Sequence, residues 1–391
     1  MRTLLLAAAF AVSALASAQV LDYRTFPTDG HPMQAIWTPD GKHILVTVTN
    51  HGRSGIEVFA VDGDKLKRKA FQTTGGENAQ GILLIPHTGQ LAVGLSNSGV
   101  SFLPLDATLE GKATPHIIPQ GDRSGSQFFA ATPDGRTLFV SNEYGQQGNV
   151  GVIALRRDGQ NKLTPTNTAQ IPTPNTTPSI TISPDGTRLY VLAEVVPQAP
   201  EVIALGSAPE LQHKGCLEGP DSHPQSNGAL YAIDTAKAAG LPHDATADQK
   251  RDAIPRLVNS GCSPVRAVVS SDGHTIYVTA RGDNKILVFD ATVLENNPDD
   301  AFLRAIPSGG EAPVGVALFD HDRKLLVANS NRFSNGPGSA TVIDLADPAK
   351  PTILQTIKTG QFPRDITASP DGRTLLLTVY FGNELMLLTM K

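Results

Sequence analysis

The 391-residue chain has little cysteine, two residues in all, and little charge, 18%. It holds 32 basic against 37 acidic residues, net −5, with no run of five like charges. Nucleic acid is therefore not an expected partner, because phosphate binding needs clustered cations. No Gly-x-Ser-x-Gly elbow, His-Glu-x-x-His helix, phosphate-binding glycine loop or dinucleotide fingerprint occurs. Their absence removes serine hydrolase, zincin, nucleotidase and dehydrogenase readings, and no cofactor is expected. Past the first residues no segment approaches the ~20 apolar residues of a membrane span, so no span is expected.

The longest apolar run is the first, residues 4–15, preceded by Arg2 and closed by Ala16-Ser17-Ala18. That order of a cation, a short apolar core and small residues is a secretory signal peptide, residues 1–18. Export to the periplasm or beyond follows, and no cysteine after the cleavage site offers a lipid anchor. In an oxidising compartment a Cys216–Cys262 bridge is expected, the alternative being two buried thiols.

What the chain has in abundance is repetition. Thr38-Pro39-Asp40-Gly41 precedes an apolar strand pattern, and so do Thr132-Pro133-Asp134-Gly135, Ser183-Pro184-Asp185-Gly186, Ser369-Pro370-Asp371-Gly372 and Ser271-Asp272-Gly273. Degenerate copies stand at Pro86-His87-Thr88 and Asp320-His321-Asp322. The aspartate positions are spaced by 47, 47, 51, 87, 49 and 50 residues. Six intervals mean seven units, and the long one is a normal period plus an insertion at residues 196–227 in the fourth unit. Asp-Gly supplies a tight turn and the flanks alternate with period two, so each unit reads as strands. Four-stranded units of this length are propeller blades. The expected fold is all-β: residues 19–391 form a single seven-bladed propeller of four-stranded antiparallel blades. Residues 20–26 are expected to supply the outer strand of the last blade, which leaves no open edge.

The entry phrases Gly310-Glu311-Ala312-Pro313 and Gly360-Gln361-Phe362-Pro363-Arg364, the Ser-Pro-Asp-Gly turns, and strand ends such as Ser141-Asn142 and Ala328-Asn329 resemble the YVTN repeat. The resemblance spans residues 19–391 and extends to the lactonase-like propellers, relatives of 6-phosphogluconolactonase. It implies ring-opening hydrolysis of a sugar lactone. The family's Pro-Arg-His phrase is reduced here to Pro363-Arg364-Asp365 and Pro264-Val265-Arg266, and no Pro-His-x-His phrase occurs, so its catalytic residues do not carry over.

In a propeller the Asp-Gly turns lie on one face. The opposite face, built from strand entries and second-to-third-strand loops, surrounds the channel mouth where ligands bind. Those loops carry six arginines: Arg53, Arg123, Arg266, Arg281, Arg332 and Arg364. The carboxylates there are Glu77, Glu143, Glu194, Asp283 and Glu311; His31, His51, Asn78, Asn142, Tyr144, Asn175, Asn329 and Tyr380 join them. Arginine's planar fork suits carboxylate or phosphate. The expected partner is a small anionic ligand such as an acidic sugar or lactone, or a protein segment, and a monomer is expected. If the chain is an enzyme it is a lactone hydrolase, with Glu143 or Glu194 as the base and Arg281, Arg266 or Arg364 stabilising the oxyanion. His31 and His51 are further bases. The bland reading pairs these charges between neighbouring blades. His213, Cys216, Asp221 and His223 fall within 11 residues, but spacing alone does not make a metal site, and none is expected.

Overall fold

The computed structural model of the chain describes residues 20–50, 53–121, 124–143, 148–159, 162–173, 176–194, 216–217, 224–225, 227–254 and 256–391. The expected signal segment and most of the insertion at 196–227 lie outside the described residues.

Seven four-stranded antiparallel sheets follow one another around a ring. Blade one runs His31–Trp37, His43–Asn50, Arg53–Asp62 and Lys65–Thr73 from the axis outward, and blades two to six repeat that order. In blade seven the chain supplies Pro363–Ala368, Thr374–Val379 and Glu384–Met390, and the outer strand is Leu21–Pro27. This is the closure expected from the sequence. Its register is unbroken, from Leu21 opposite Met390 to Pro27 opposite Glu384.

The Ser/Thr-Pro-Asp-Gly phrase folds the same way each time. Thr38 Oγ1 donates to Asp40 Oδ1 at 2.6 Å, and Asp40 Oδ1 accepts the Lys42 amide at 3.0 Å. The Thr38 hydroxyl also accepts the His43 amide at 3.0 Å, and Gly41 takes φ +69°. The hydroxyl and carboxylate thus replace the ladder bonds that a turn leaves unmade. The hydroxyl bond, from Thr38, Thr132, Ser183, Ser270 or Ser369, is the main cause that holds Asp40, Asp134, Asp185, Asp272 and Asp371 below the usual carboxylate range.

Second and third strands are apolar on both faces because each sheet is covered on both sides by its neighbours. Seven apolar clusters result, one at each interface between adjacent blades. The interface between blades seven and one packs Leu376, Leu385 and Leu387 on Ile44, Val46 and Phe59, which seals the ring with the same chemistry as elsewhere.

Blade six holds the closing strand from the side. Gln355 Oε1 accepts the amides of Val20 at 2.9 Å and Leu21 at 2.8 Å, and its Nε2 donates to the Leu21 carbonyl at 3.0 Å. Gln355→Leu removes all three bonds. It is expected to cost about 1–3 kcal/mol, measured as a lower urea midpoint with an unchanged slope. The turn aspartates add a pH signature. Because their folded pKa values are depressed, the stability they contribute is complete above the unfolded value near 3.8 and is lost as pH falls through the folded values. Asp134→Asn should therefore flatten the acid limb of the stability profile and leave its neutral part nearly level.

Candidate functional site

Every innermost strand but that of blade four begins with an irregularity in its pairing to the second strand, and the bulge aims two residues at the axis. The first of the pair, one per blade, is Met33, Gln80, Gln127, Pro178, Val265, Val314 and Arg364. All seven line one central cavity of about 670 Å³. The second of the pair is Gln34, Gly81, Phe128, Ser179, Arg266, Gly315 and Asp365; of these Arg266 also lines the cavity, and Phe128 packs into the interface between blades three and four. In blades one, three, five and seven a hydroxyl on the second strand, of Thr47, Ser141, Thr279 or Thr378, accepts an amide of the bulge. Thr279 Oγ1 accepts the Arg266 amide at 3.0 Å and donates to the Val314 carbonyl of the next blade at 3.0 Å. Thr378 does the same for the Asp365 amide, 3.1 Å, and the Met33 carbonyl, 3.2 Å. Blade six has Gly315, where a β-carbon would stand 2.7 Å from the Arg364 carbonyl, so the missing side chain lets Arg364's backbone approach.

A second ring forms the rim. A residue at the entry to each innermost strand has positive φ in blades two to seven: Asn78, Gly125, Thr176, Ser263, Ala312 and Phe362, each directly before its strand except Thr176, which is three residues ahead of Ser179. Each offers its carbonyl to the first residue beyond the second strand, respectively Ser96, Glu143, Glu194, Arg281, Ser330 and Tyr380, at 2.8–3.3 Å. Backbone strain, strongest at β-branched Thr176 with φ 64°, is thus spent on fixing the residues that carry charge at the mouth.

The charged groups meet in the cavity as follows. Arg281 of blade five forms an ion pair with Glu194 of blade four, both largely buried. Glu143 Oε2 accepts Gln127 Nε2 at 2.6 Å. Arg266 is 7% exposed, donates Nη1 to the carbonyls of Pro178 and Val265, and lies 3.8 Å from the Phe128 ring centroid. Its Nε stands 3.9 Å from Asp365 Oδ1, beyond hydrogen-bond reach, and neither Nε nor Nη2 has a hydrogen-bond partner. Burial, then the neighbouring Arg364 charge, lowers the Arg266 guanidinium to about 10, so it remains a cation at neutral pH. Burial pushes the Asp365 carboxyl up to about 6 against the pull of Arg266, and its Oδ2 is unpartnered. Arg364 packs 5.7 Å from the Phe362 centroid and 5.6 Å from that of Tyr380, and Arg332 lies 5.9 Å from Phe362. Among the described residues four arginines face three carboxyls here, one of them partly protonated near neutrality.

Of the residues singled out in the sequence, Glu143, Glu194, Arg266, Arg281, Arg332, Arg364 and Tyr380 converge on this cavity. Glu77, Asn78 and His31 line a neighbouring cavity instead. Asn142 and Asn329 are not at the mouth. Both are buried, Asn142 bonded to Ser126 and Asn149, and Asn329 to Ser308, Ser339 and Thr341. They stand one residue before the rim position, so strand alternation turns them into their own blades. Asp283 Oδ2 accepts the Cys262 amide, and Glu311 accepts the Ser334 hydroxyl. Arg123, Tyr144, His51, Asn175, His213, Asp221 and His223, with the side chains of Arg53 and Cys216, lie outside the described residues. Among the described residues no group of three potential metal ligands occurs, and no helix is long and apolar enough to cross a membrane. Sequence reasoning missed Asp365, although it occupies in Pro363-Arg364-Asp365 the place of Arg266 in Pro264-Val265-Arg266.

No protein-family model matches the chain, and no curated protein matches it. Solved structures do. Hydrazine synthase of Kuenenia stuttgartiensis is 15% identical, covers 93% of this chain and 97% of its own, and superposes with a TM-score of 0.65. A chain of the mitotic checkpoint complex is 11% identical, with 100% and 99% covered and a TM-score of 0.63. At these identities the likeness is one of fold, a seven-bladed β-propeller.

Thr279→Val keeps the shape and removes the hydroxyl that holds Arg266's bulge to blade six. A loss of about 1–3 kcal/mol is expected, read by chemical denaturation; an unchanged midpoint would mean the bulge is held by packing alone.

Proposed function

We propose that the chain is an exported propeller of the YVTN-repeat, lactonase-like type whose central mouth binds a small anionic ligand of the acidic-sugar class. The observation that carries this reading is Arg266, a buried cation with two unpartnered N–H groups beside the cavity that Arg281, Arg332 and Arg364 also line. A buried guanidinium with open donors is costly unless an anion completes it. The cavity's volume of about 670 Å³ falls within the ~300–1,000 Å³ of small-molecule sites, which favours a small ligand over a protein segment. The aromatic wall of Phe362 and Tyr380 suits a ring.

Titration calorimetry with glucuronate tests it. Arg364→Gln should weaken binding at least tenfold, about 1.4 kcal/mol. The pH profile is set by Asp365. Its carboxyl is raised to about 6, so it is charged above that pH and opposes an anion between Arg266 and Arg364, and neutral below it. Affinity should therefore tighten at least about fivefold from pH 7.5 to 5, given about 1 kcal/mol between unit charges about 4 Å apart in water. Asp365→Asn should bind tightly and evenly across that range. Binding indifferent to both substitutions contradicts the reading.

Lactone hydrolysis is the second reading, favoured by Glu143 sharing the cavity with Arg364 and Arg266. Glu194 is less suited to activate water because Arg281 already holds it. Lactone-dependent acid release in a pH-stat that Glu143→Gln abolishes would establish catalysis. A Cys216–Cys262 bridge belongs to the same proposal. Cys262 is buried and no free cysteine is found among the described residues. Strand Cys216–Leu217 also contacts the turn Arg281–Asp283, against which Cys262 packs. Two alkylatable thiols in the unreduced, denatured protein would refute the bridge.

A further inference from the structure

A second cavity, of about 700 Å³, lies beside the central one between blades one, two and seven. Tyr380 and Phe381 line both and form the partition. Four arginines and two glutamates line the central one, whereas the charged side chain in the described lining of the second, His31 apart, is the carboxylate of Glu77.

What the second cavity offers is an aromatic surface surrounded by polar groups, the Glu77 carboxylate among them. Phe381 is 55% exposed, a large apolar ring left to solvent. It is held there by contacts with Tyr380, His31 and Phe362, at centroid distances of 4.9, 5.5 and 5.4 Å. Rigid aromatics of this kind bind at low entropic cost. His31 Nδ1 faces two acceptors, the Tyr380 carbonyl at 3.1 Å and Asn383 Oδ1 at 2.6 Å. Nδ1 therefore carries the proton, and Nε2 of the neutral ring is left as an acceptor. Glu77 and the amide of Asn78 complete a set able to take up several hydroxyl hydrogens.

We propose that this cavity is a subsite for an uncharged, polyhydroxylated ring joined covalently to the acid held in the central cavity, so that the ligand is an acidic saccharide with a neutral unit beside its acidic one. The inference rests on the anionic reading of the central site and adds the second unit. A pyranose presents an apolar C–H face that stacks on Phe381 and a polar edge that meets His31, Glu77 and Asn78. A second acid is disfavoured, because the Glu77 carboxylate lines the same cavity.

The test compares three ligands by calorimetry on the full mature chain: glucuronate, a disaccharide of glucuronate with a neutral hexose, and a disaccharide of two uronates. The hexose-bearing acid should bind at least tenfold tighter than glucuronate, and the diuronate no tighter than glucuronate. Glu77→Ala should leave glucuronate affinity unchanged and reduce the hexose's gain to less than threefold. Phe381→Ala should collapse the same ratio, whatever it does to glucuronate itself. Glucuronate binding without gain from the hexose, a larger gain from the second uronate, or a gain that survives both substitutions overturns the subsite and leaves the anionic reading standing. Failure of both glucuronate and its hexose conjugate to bind overturns the anionic reading and the linked ligand together.

Discussion

Pairing of Leu21–Pro27 with Glu384–Met390 is the contact on which everything else depends, because it converts a row of seven sheets into a ring. An open row would expose an apolar face at each end, Leu376 and Leu387 on one side and Ile44 and Val46 on the other. Closure buries both faces and pairs the outer edge of Glu384–Met390. It also creates the axis: only in a closed ring do seven innermost strands face one another across a shared cavity. The central cavity is thus a consequence of ring closure rather than of any one blade.

Within that frame the chain departs from self-consistency in one place. The blades repeat their turn chemistry and their apolar interfaces, yet at the start of the innermost strands the equivalent positions hold Phe128, Arg266, Gly315 and Asp365. Burying a guanidinium and a carboxyl that do not touch, with unpartnered nitrogens on one and an unpartnered oxygen on the other, works against stability. Such conflicts concentrate where a structure is shaped for a ligand. The positive-φ residues Thr176, Ala312 and Phe362 at the rim belong to the same pattern, since nothing in the apolar interfaces requires them.

Much of this architecture was legible in the sequence, for a physical reason. Five Asp-Gly turns, two degenerate copies and the period-two strands that follow them are local signals, so their spacing encodes the blade count. The rim was partly legible too, as Glu143, Glu194 and Arg281 all follow their second strands at the same offset. What local patterns do not carry is direction and pairing. Asn142 and Asn329 sit one residue short of the rim, and a single step of strand alternation moves them from the mouth into the blade. Glu194 and Arg281 are 87 residues apart and meet because blades four and five are neighbours. Asp365 was hidden because its carboxyl gains its meaning from Arg266, two blades away around the ring. Aligning the seven entry phrases on their bulges would have exposed it.

The claim at the centre of this account is that the open donors of Arg266 are completed by an anion. A crystal structure of the protein grown with glucuronate tests it most directly. The account predicts carboxylate density within hydrogen-bond distance of Arg266 Nη2 or Nε, with Arg364 as a second contact. Glucuronate seated elsewhere, or a cavity holding only water while the Arg266 nitrogens stay unpartnered, would contradict it.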